Sequence, residues 1–382
     1  MAVLAAYAVP HPPLIIPAIG AGRERGIAAT IRAYHETMCA AAALHPDTVV
    51  IISPHATGYD DFFHISPGAG AEGNFAAFGH PEISVGIEYD EDFVRALSAA
   101  AEENEIPAGT LGERDASLDH GTMIPLAFLS EYLEDAAVKF VRIGISGLPA
   151  HMHALLGQCI AATAKKLGRR TICIASGDLS HRLQAGGPNG FAPEGAEFDG
   201  LCSTFMKAGD FLSLLQIPGS YAETAGHCGL NGLWMLAGVL DCTSMESRLH
   251  SYEGPFGVGY AVASFTVTGA DAGHDFAAQL TRSEDEAITD LRASEDAYVC
   301  LARKSIEHYV RTHAYMPLPH ELPRELTETC AGVFVSIKKY GRLRVVLEHS
   351  CRRRRISPRK FCTMQFRLRR MTGALIPSQK AN

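Results

Sequence analysis

Residues 3–17 read VLAAYAVPHPPLIIP. The first six, Val3 to Ala8, form an uncharged apolar run, the pattern of a strand buried on both faces. The run ends among three prolines, Pro10, Pro12 and Pro13, that bracket His11. Proline fixes φ and removes a donor, and it confines the residue before it to extended backbone. The strand therefore stops, and its exit is stiff. A stiff exit holding an imidazole suits a metal or acid–base site. Taken alone, His11 is more simply explained by a local hydrogen bond.

The same pattern recurs along the chain. TVVIIS (48–53), VKFVRIGIS (138–146) and RTICIAS (170–176) read as buried strands bounded by turn residues. Residues 28–43, 92–104, 121–133 and 152–167 between them have helical character. Strand and helix in alternation predict an α/β fold, with a mostly parallel central sheet flanked by helices. In such sheets ligands lie beyond the carboxyl ends of the strands. His55, in IISPHATGYDD (51–61), follows the second strand, again beside a proline. His181, in ICIASGDLSHRL (172–183), follows another strand, and His120, in LDHGTMIPL (118–126), opens a helix. Four histidines at one kind of place point to a shared metal or acid–base site.

AETAGHCGLNGLWMLAGVLD (222–241) reads as a further strand-to-helix passage. Glu223, His227 and Cys228 stand just before its apolar helix. Each can bind a divalent metal. The plain alternative makes Glu223 a surface or capping residue and Cys228 a small buried hydrophobe. Trp234 packs in the core. The segment 62–78 and the pair His151 and His153 are candidates for shaping a substrate pocket. GAGAEG (68–73) is not a phosphate loop, since it neither follows a clean strand nor opens a helix. SGDLS (176–180) lacks the spacing of a nucleophile elbow.

A chain of 382 residues predicts two domains. No basic segment precedes an apolar stretch at the N-terminus, and no run is long enough to span a bilayer. Ten cysteines without a C-x-x-C pair fit a reducing cytoplasm. The net charge of −8 hides an asymmetry. Residues 345–382 carry ten Lys or Arg and one acid, a charge of +9, which leaves −17 on residues 1–344. An acidic body makes nucleic acid an unsuitable partner. Residues 269–294 turn small and acidic and read as a linker with some helix. EDAYVCLARKSIEHYVRT (295–312) is an amphipathic helix, and GVFVSIKKYGRLR (332–344) a hairpin, which together begin a small α+β unit. After Arg344 the periodicity stops.

The motifs HPPLIIP, SPHATGY, LDHGTMIPL, SGDLSHRL, ETAGHCGL and SYEGPFGVGYAVASF, in that order, give residues 1–268 a specific resemblance. The chain resembles the class III extradiol dioxygenase superfamily, the LigB-like fold that also contains the Memo proteins. Residues 295–344 resemble the start of an AMMECR domain, as in the bacterial AmmeMemoRadiSam system. The resemblance implies a non-haem Fe(II) oxidoreductase acting on a catechol-type small molecule. It implies His11 and His55 as metal ligands, His181 as the acid–base group and His120 as a histidine that either supports the metal ligands or contacts the substrate. It places Cys228 where the dioxygenases carry a glutamate, as Memo proteins do, with Glu223 and His227 as alternatives. A thiolate is softer than a carboxylate and suits Cu or Zn. The rival implication is therefore a Memo-like metal or redox module without ring cleavage, working with a radical-SAM protein. An AMMECR domain continues with GCIGT after its GRLR hairpin, and here it does not. That break points to a frameshift after Arg344, leaving an incomplete fragment and an aberrant basic tail, 345–382. The alternative is a divergent tail for anionic partners. Oligomeric state stays open.

Overall fold

The computed structural model describes residues 2–133, 138–187, 189–317, 319, 322–324, 333–339 and 342–349. β1 (Val3–Val9) leads through the short α1 (Pro17–Gly20) into α2 (Ala28–Ala43) and β2 (Thr48–Ser53). β3 (Phe63–His64) and the hairpin β4 (Gly70–Phe75) and β5 (His80–Glu88) follow. Then come α3 (Glu91–Glu103), β6 (Ala108–Gly109), α4 (His120–Ser130), β7 (Lys139–Gly144), α5 (Ala150–Leu167) and β8 (Thr171–Ser176). Helices α6 (Pro193–Ala208), α7 (Phe211–Leu215), α8 (Gly219–Ala225) and α9 (Leu230–Val239) precede the long strands β9 (Thr243–Glu253) and β10 (Tyr260–Ala270).

One six-stranded sheet runs in the order β7-β2-β8-β1-β10-β9. Its first four strands are parallel, and β10 and β9 close one side antiparallel. The apolar runs alternate between the two faces with period two. On β2, Val50 and Ile52 face one core with Phe93, Leu156 and Met235, while Val49 and Ile51 face the other with Tyr34, Met38 and Leu129. All of these are fully or almost fully buried. Two covered faces explain why these strands carry no polar alternation.

The chain divides into two units, Met1–Arg282 and Ser283–Asn382. The first extends past the expected boundary at residue 268. The segment expected as a linker is mostly the helix α10 (Phe276–Ala293), and its Phe276, Ala277 and Leu280 are buried in the first unit's core. In the second unit, α11 (Ala297–Thr312) is capped by Asp296, whose carboxylate accepts from the N–H groups of Tyr298 and Val299. The hairpin β11 (Val333–Lys339) and β12 (Arg342–His349) is antiparallel. Its second strand runs through Arg344 to His349, pairing with Val333. The hairpin therefore does not break at Arg344, since the pairing continues from Val345 to His349. Residues 350–382, most of the expected aberrant tail, lie outside the described residues. Among the described residues, the apolar cluster of this unit has one buried member, Leu301.

Candidate metal centre

β1, β2 and β8 all end at one edge of the sheet, and each exit delivers a histidine. His11 lies two residues beyond β1 and is 2% exposed. Three contacts fix it. The buried Tyr34 hydroxyl on α2 donates to the Pro10 carbonyl at 2.6 Å. The His11 N–H donates to Asp178 Oδ1 at 2.8 Å. Its Nδ1 lies 2.9 Å from Ser176 Oγ, leaving Nε2 to face the edge. His55 stands beyond β2, its N–H donating to Ser53 Oγ. Ser53 in turn donates to Asp119 Oδ1 at 2.5 Å. Asp119 caps α4 by accepting from Thr122 N–H, and so sets His120 as the first helical residue.

His11 Nε2 and His55 Nε2 are 3.1 Å apart. The His55 and His120 rings lie 4.2 Å apart, and the His11 and His120 rings 5.3 Å. The Phe78 and His120 ring centroids lie 5.4 Å apart, with the ring planes at 71°. On the other side of the cluster, Cys228 Sγ lies 3.5 Å from His11 Nε2 and 3.7 Å from His181 Nε2. Glycine makes this approach possible. A Cβ on Gly177 would sit 2.2 Å from Gly229 Cα. The exit of β8 and the start of α9 thus touch backbone to backbone, and Asp178 N–H donates to Cys228 Sγ at 3.2 Å.

Ligand-capable atoms within 4.8 Å of one another form two groups here, His11, His55 and His120, and His11, Asp178 and Cys228. His11 is common to both. The expected set of His11, His55 and Cys228 is thus divided between two adjoining groups, with His181 touching the second. Glu223 is exposed on α8 and belongs to neither. His227 stacks on Phe198 at 5.1 Å, and its Nδ1 accepts the Leu230 N–H at the start of α9. The passage before Cys228 is helix α8, not a strand, and this turns Glu223 away. His153 is fully buried with Nδ1 near the Pro149 carbonyl, so it shapes the core and not a pocket. Trp234 is in the core as expected, donating Nε1–H to the Leu214 carbonyl. Asp178 was missed as a site residue. The strand-end rule that singled out His11 and His55 would have found it, since it lies two residues beyond β8.

The electrostatics favour metal binding. Burial, then the neighbouring His55, lowers the His11 pKa to about 3. Burial, then His55 and His11, lowers His120 to about 4. Burial also lowers His181. These imidazoles are neutral near pH 7 and present lone pairs. Burial raises the Asp178 carboxyl to about 6, and burial with the Asp178 charge pushes the Cys228 thiol well up. A bound cation would oppose both shifts. Two N or S ligands on one tetrahedral ion stand about 3.3–3.6 Å apart. The separations of 3.1 and 3.5 Å around His11 Nε2 are close to that range, so each of the two groups that share His11 is spaced to hold an ion.

Residues 5–263 match the family described as the catalytic LigB subunit of aromatic ring-opening dioxygenase, and the chain belongs to this family. Protein CA_C1420 of Clostridium acetobutylicum is 31% identical over 346 residues, spanning 88% of this chain and 73% of its own. The uncharacterized protein JW3007 from Escherichia coli K12 aligns in structure over 68% of this chain and 99% of its own, with 16% identity and a TM-score of 0.42. Family membership carries a dioxygenase-like, metal-dependent function in general terms.

Proposed function

We propose that the first unit is a non-haem Fe(II) oxidoreductase of the extradiol dioxygenase type, acting on a catechol-like small molecule. The convergence of the His11 and His55 Nε2 atoms beside Cys228 and Asp178 carries this reading. His11 and His55 would hold the ion, with Cys228 or Asp178, which are grouped with His11 and not with His55, moving in to complete the set. Bound Fe(II) would supply Lewis acidity toward the diol and a binding position for O₂. The protein supplies the rest. His181, neutral near pH 7, accepts a diol proton at Nε2 and can return it. His120 and Phe78 offer a ring-binding wall beside the His55 imidazole. The Tyr34, Ser176 and Asp178 contacts keep His11 from wandering.

The thiol favours a second reading. Cys228 Sγ stands closer to His11 than a bystander needs to, and a soft sulfur suits Cu or Zn. In this reading the unit is a Memo-like metal or redox module without ring cleavage. We read the second unit as an AMMECR-like fragment, with a radical-SAM protein as partner, and place the protein in the cytoplasm. Among the described residues, no helix is long and apolar enough to cross a membrane.

Metal analysis of anaerobically purified protein separates the two readings. Iron retained in Cys228→Ala, with O₂ uptake on catechols, supports the dioxygenase. Copper or zinc lost with the thiol supports the module. Stoichiometric metal that survives in the double variant His11→Ala/His55→Ala would sink both.

A further inference from the structure

Asp199 lies on α6, outside the candidate centre, and is fully buried. Its Oδ1 accepts the Ser180 N–H at 2.7 Å, and its Oδ2 accepts the Tyr252 hydroxyl at 2.7 Å. A Cβ on Gly259 would sit 2.0 Å from Oδ2, so the carboxylate is seated directly against the backbone entering β10. Ser180 is a junction. Its hydroxyl donates to the Ala225 carbonyl at 2.7 Å, and its own carbonyl accepts the Gly259 N–H at 2.8 Å. The next residue, His181, donates its N–H to the Gly226 carbonyl at 2.9 Å. Asp199 thus ties the loop carrying Asp178 and His181 to the ends of β9 and β10, and Ser180 passes the tie on to the loop carrying Cys228.

We infer that Asp199, with Tyr252 and Ser180, is a positioning clamp that sets His181 against Cys228. The inference rests on the metal-site reading for its purpose but not for its geometry. Among the described residues the two loops are not paired as strands, and the Asp178 carbonyl accepts the Cys228 and Gly229 N–H groups at 3.2 and 2.9 Å. Their register depends on Ser180 and on contacts to residues 225–229. A buried carboxylate accepting two hydrogen bonds is a strong anchor, because removing it leaves the Ser180 N–H and the Tyr252 hydroxyl without the acceptor they use here.

The test uses the full chain with Asp199→Asn and, because that buried change can impair folding, Tyr252→Phe, at a residue 40% exposed. Amide hydrogen exchange is read segment by segment, and Co(II) titration follows the thiolate charge-transfer band. The clamp predicts exchange about tenfold faster at 177–182 and 225–229 in Asp199→Asn, and a smaller increase in Tyr252→Phe. β8 and α5 should exchange as in the wild type, and Co(II) affinity should fall in parallel with loop exchange. Uniformly faster exchange across the unit would show a general stability role and overturn the inference. So would unchanged Co(II) affinity despite loosened loops. If the wild-type protein takes up no Co(II), the metal-site reading falls, and loop-selective exchange alone decides the clamp.

Discussion

Tyr34 never reaches the candidate centre, yet its hydroxyl fixes the carbonyl just ahead of His11. Removing one buried donor in Tyr34→Phe should cost about 1–2 kcal/mol, seen as a melting point lower by several degrees. The same variant should bind Co(II) several-fold more weakly, while His11→Ala should bind none at the centre. Unchanged affinity in Tyr34→Phe would mean that Pro10, Pro12 and Pro13 hold the imidazole without help. Residue identity at the site was legible where position along a strand gave it away. His11, His55 and His120 sit where a strand ends or a helix begins. Glu223 and His227 misled because nearness in sequence to Cys228 is not nearness in space: α8 turns Glu223 outward, and the α9 N-terminus engages His227.

At the scale of elements, the contact between the β8 exit and the α9 start brings Asp178 and Cys228 together. Gly177→Ala would force a methyl into Gly229. The expected cost is about 2–3 kcal/mol, with loss of metal affinity beyond what the fall in stability explains. Thermal melts beside metal titration check this, and a variant with full affinity would contradict it. β1, β2, β7 and β8 were readable because both their faces are buried, which leaves pure apolar runs. β9 was not, because TSMESRLHSYE is an edge strand with mostly half-buried and exposed positions. Its pairing with β10 is set by tertiary context. The hairpin β4–β5 was hidden for a related reason, since Gly70, Ala71 and Gly73 carry little strand propensity.

Over the whole molecule, the first unit ends later than its apolar strands suggested, because Phe276 and Leu280 close its core. A chain ending at residue 268 should melt well below one ending at 293, since two large buried side chains are worth several kcal/mol, roughly 2–3 each. Equal melting points would contradict that boundary. Acid sensitivity follows from histidines that are buried and neutral. Burial lowers His153 and His227 to about 4, whereas the unfolded chain takes up these protons near 6.5. Unfolding therefore gains protons as pH falls through 6.5 toward 4, and stability declines across that window by up to about 3 kcal/mol per group. His153→Gln should narrow the difference between melting points at pH 7 and pH 5, and an unchanged difference would exclude His153 as a source of the acid sensitivity.

The sheet order also governs how the chain leaves the ribosome. β1 pairs with β8 in register from Ala5 against Ile172 to Val9 against Ser176, and on its other side with β10. β1 is therefore an inner strand whose neighbours are synthesised about 160 residues later or more. At roughly 5–20 residues per second, VLAAYAV waits on the order of ten seconds or longer without a partner. For that interval an uncharged, aggregation-prone segment is exposed, and nascent chains of this protein should depend on a chaperone that holds the apolar β1 segment until β8 emerges.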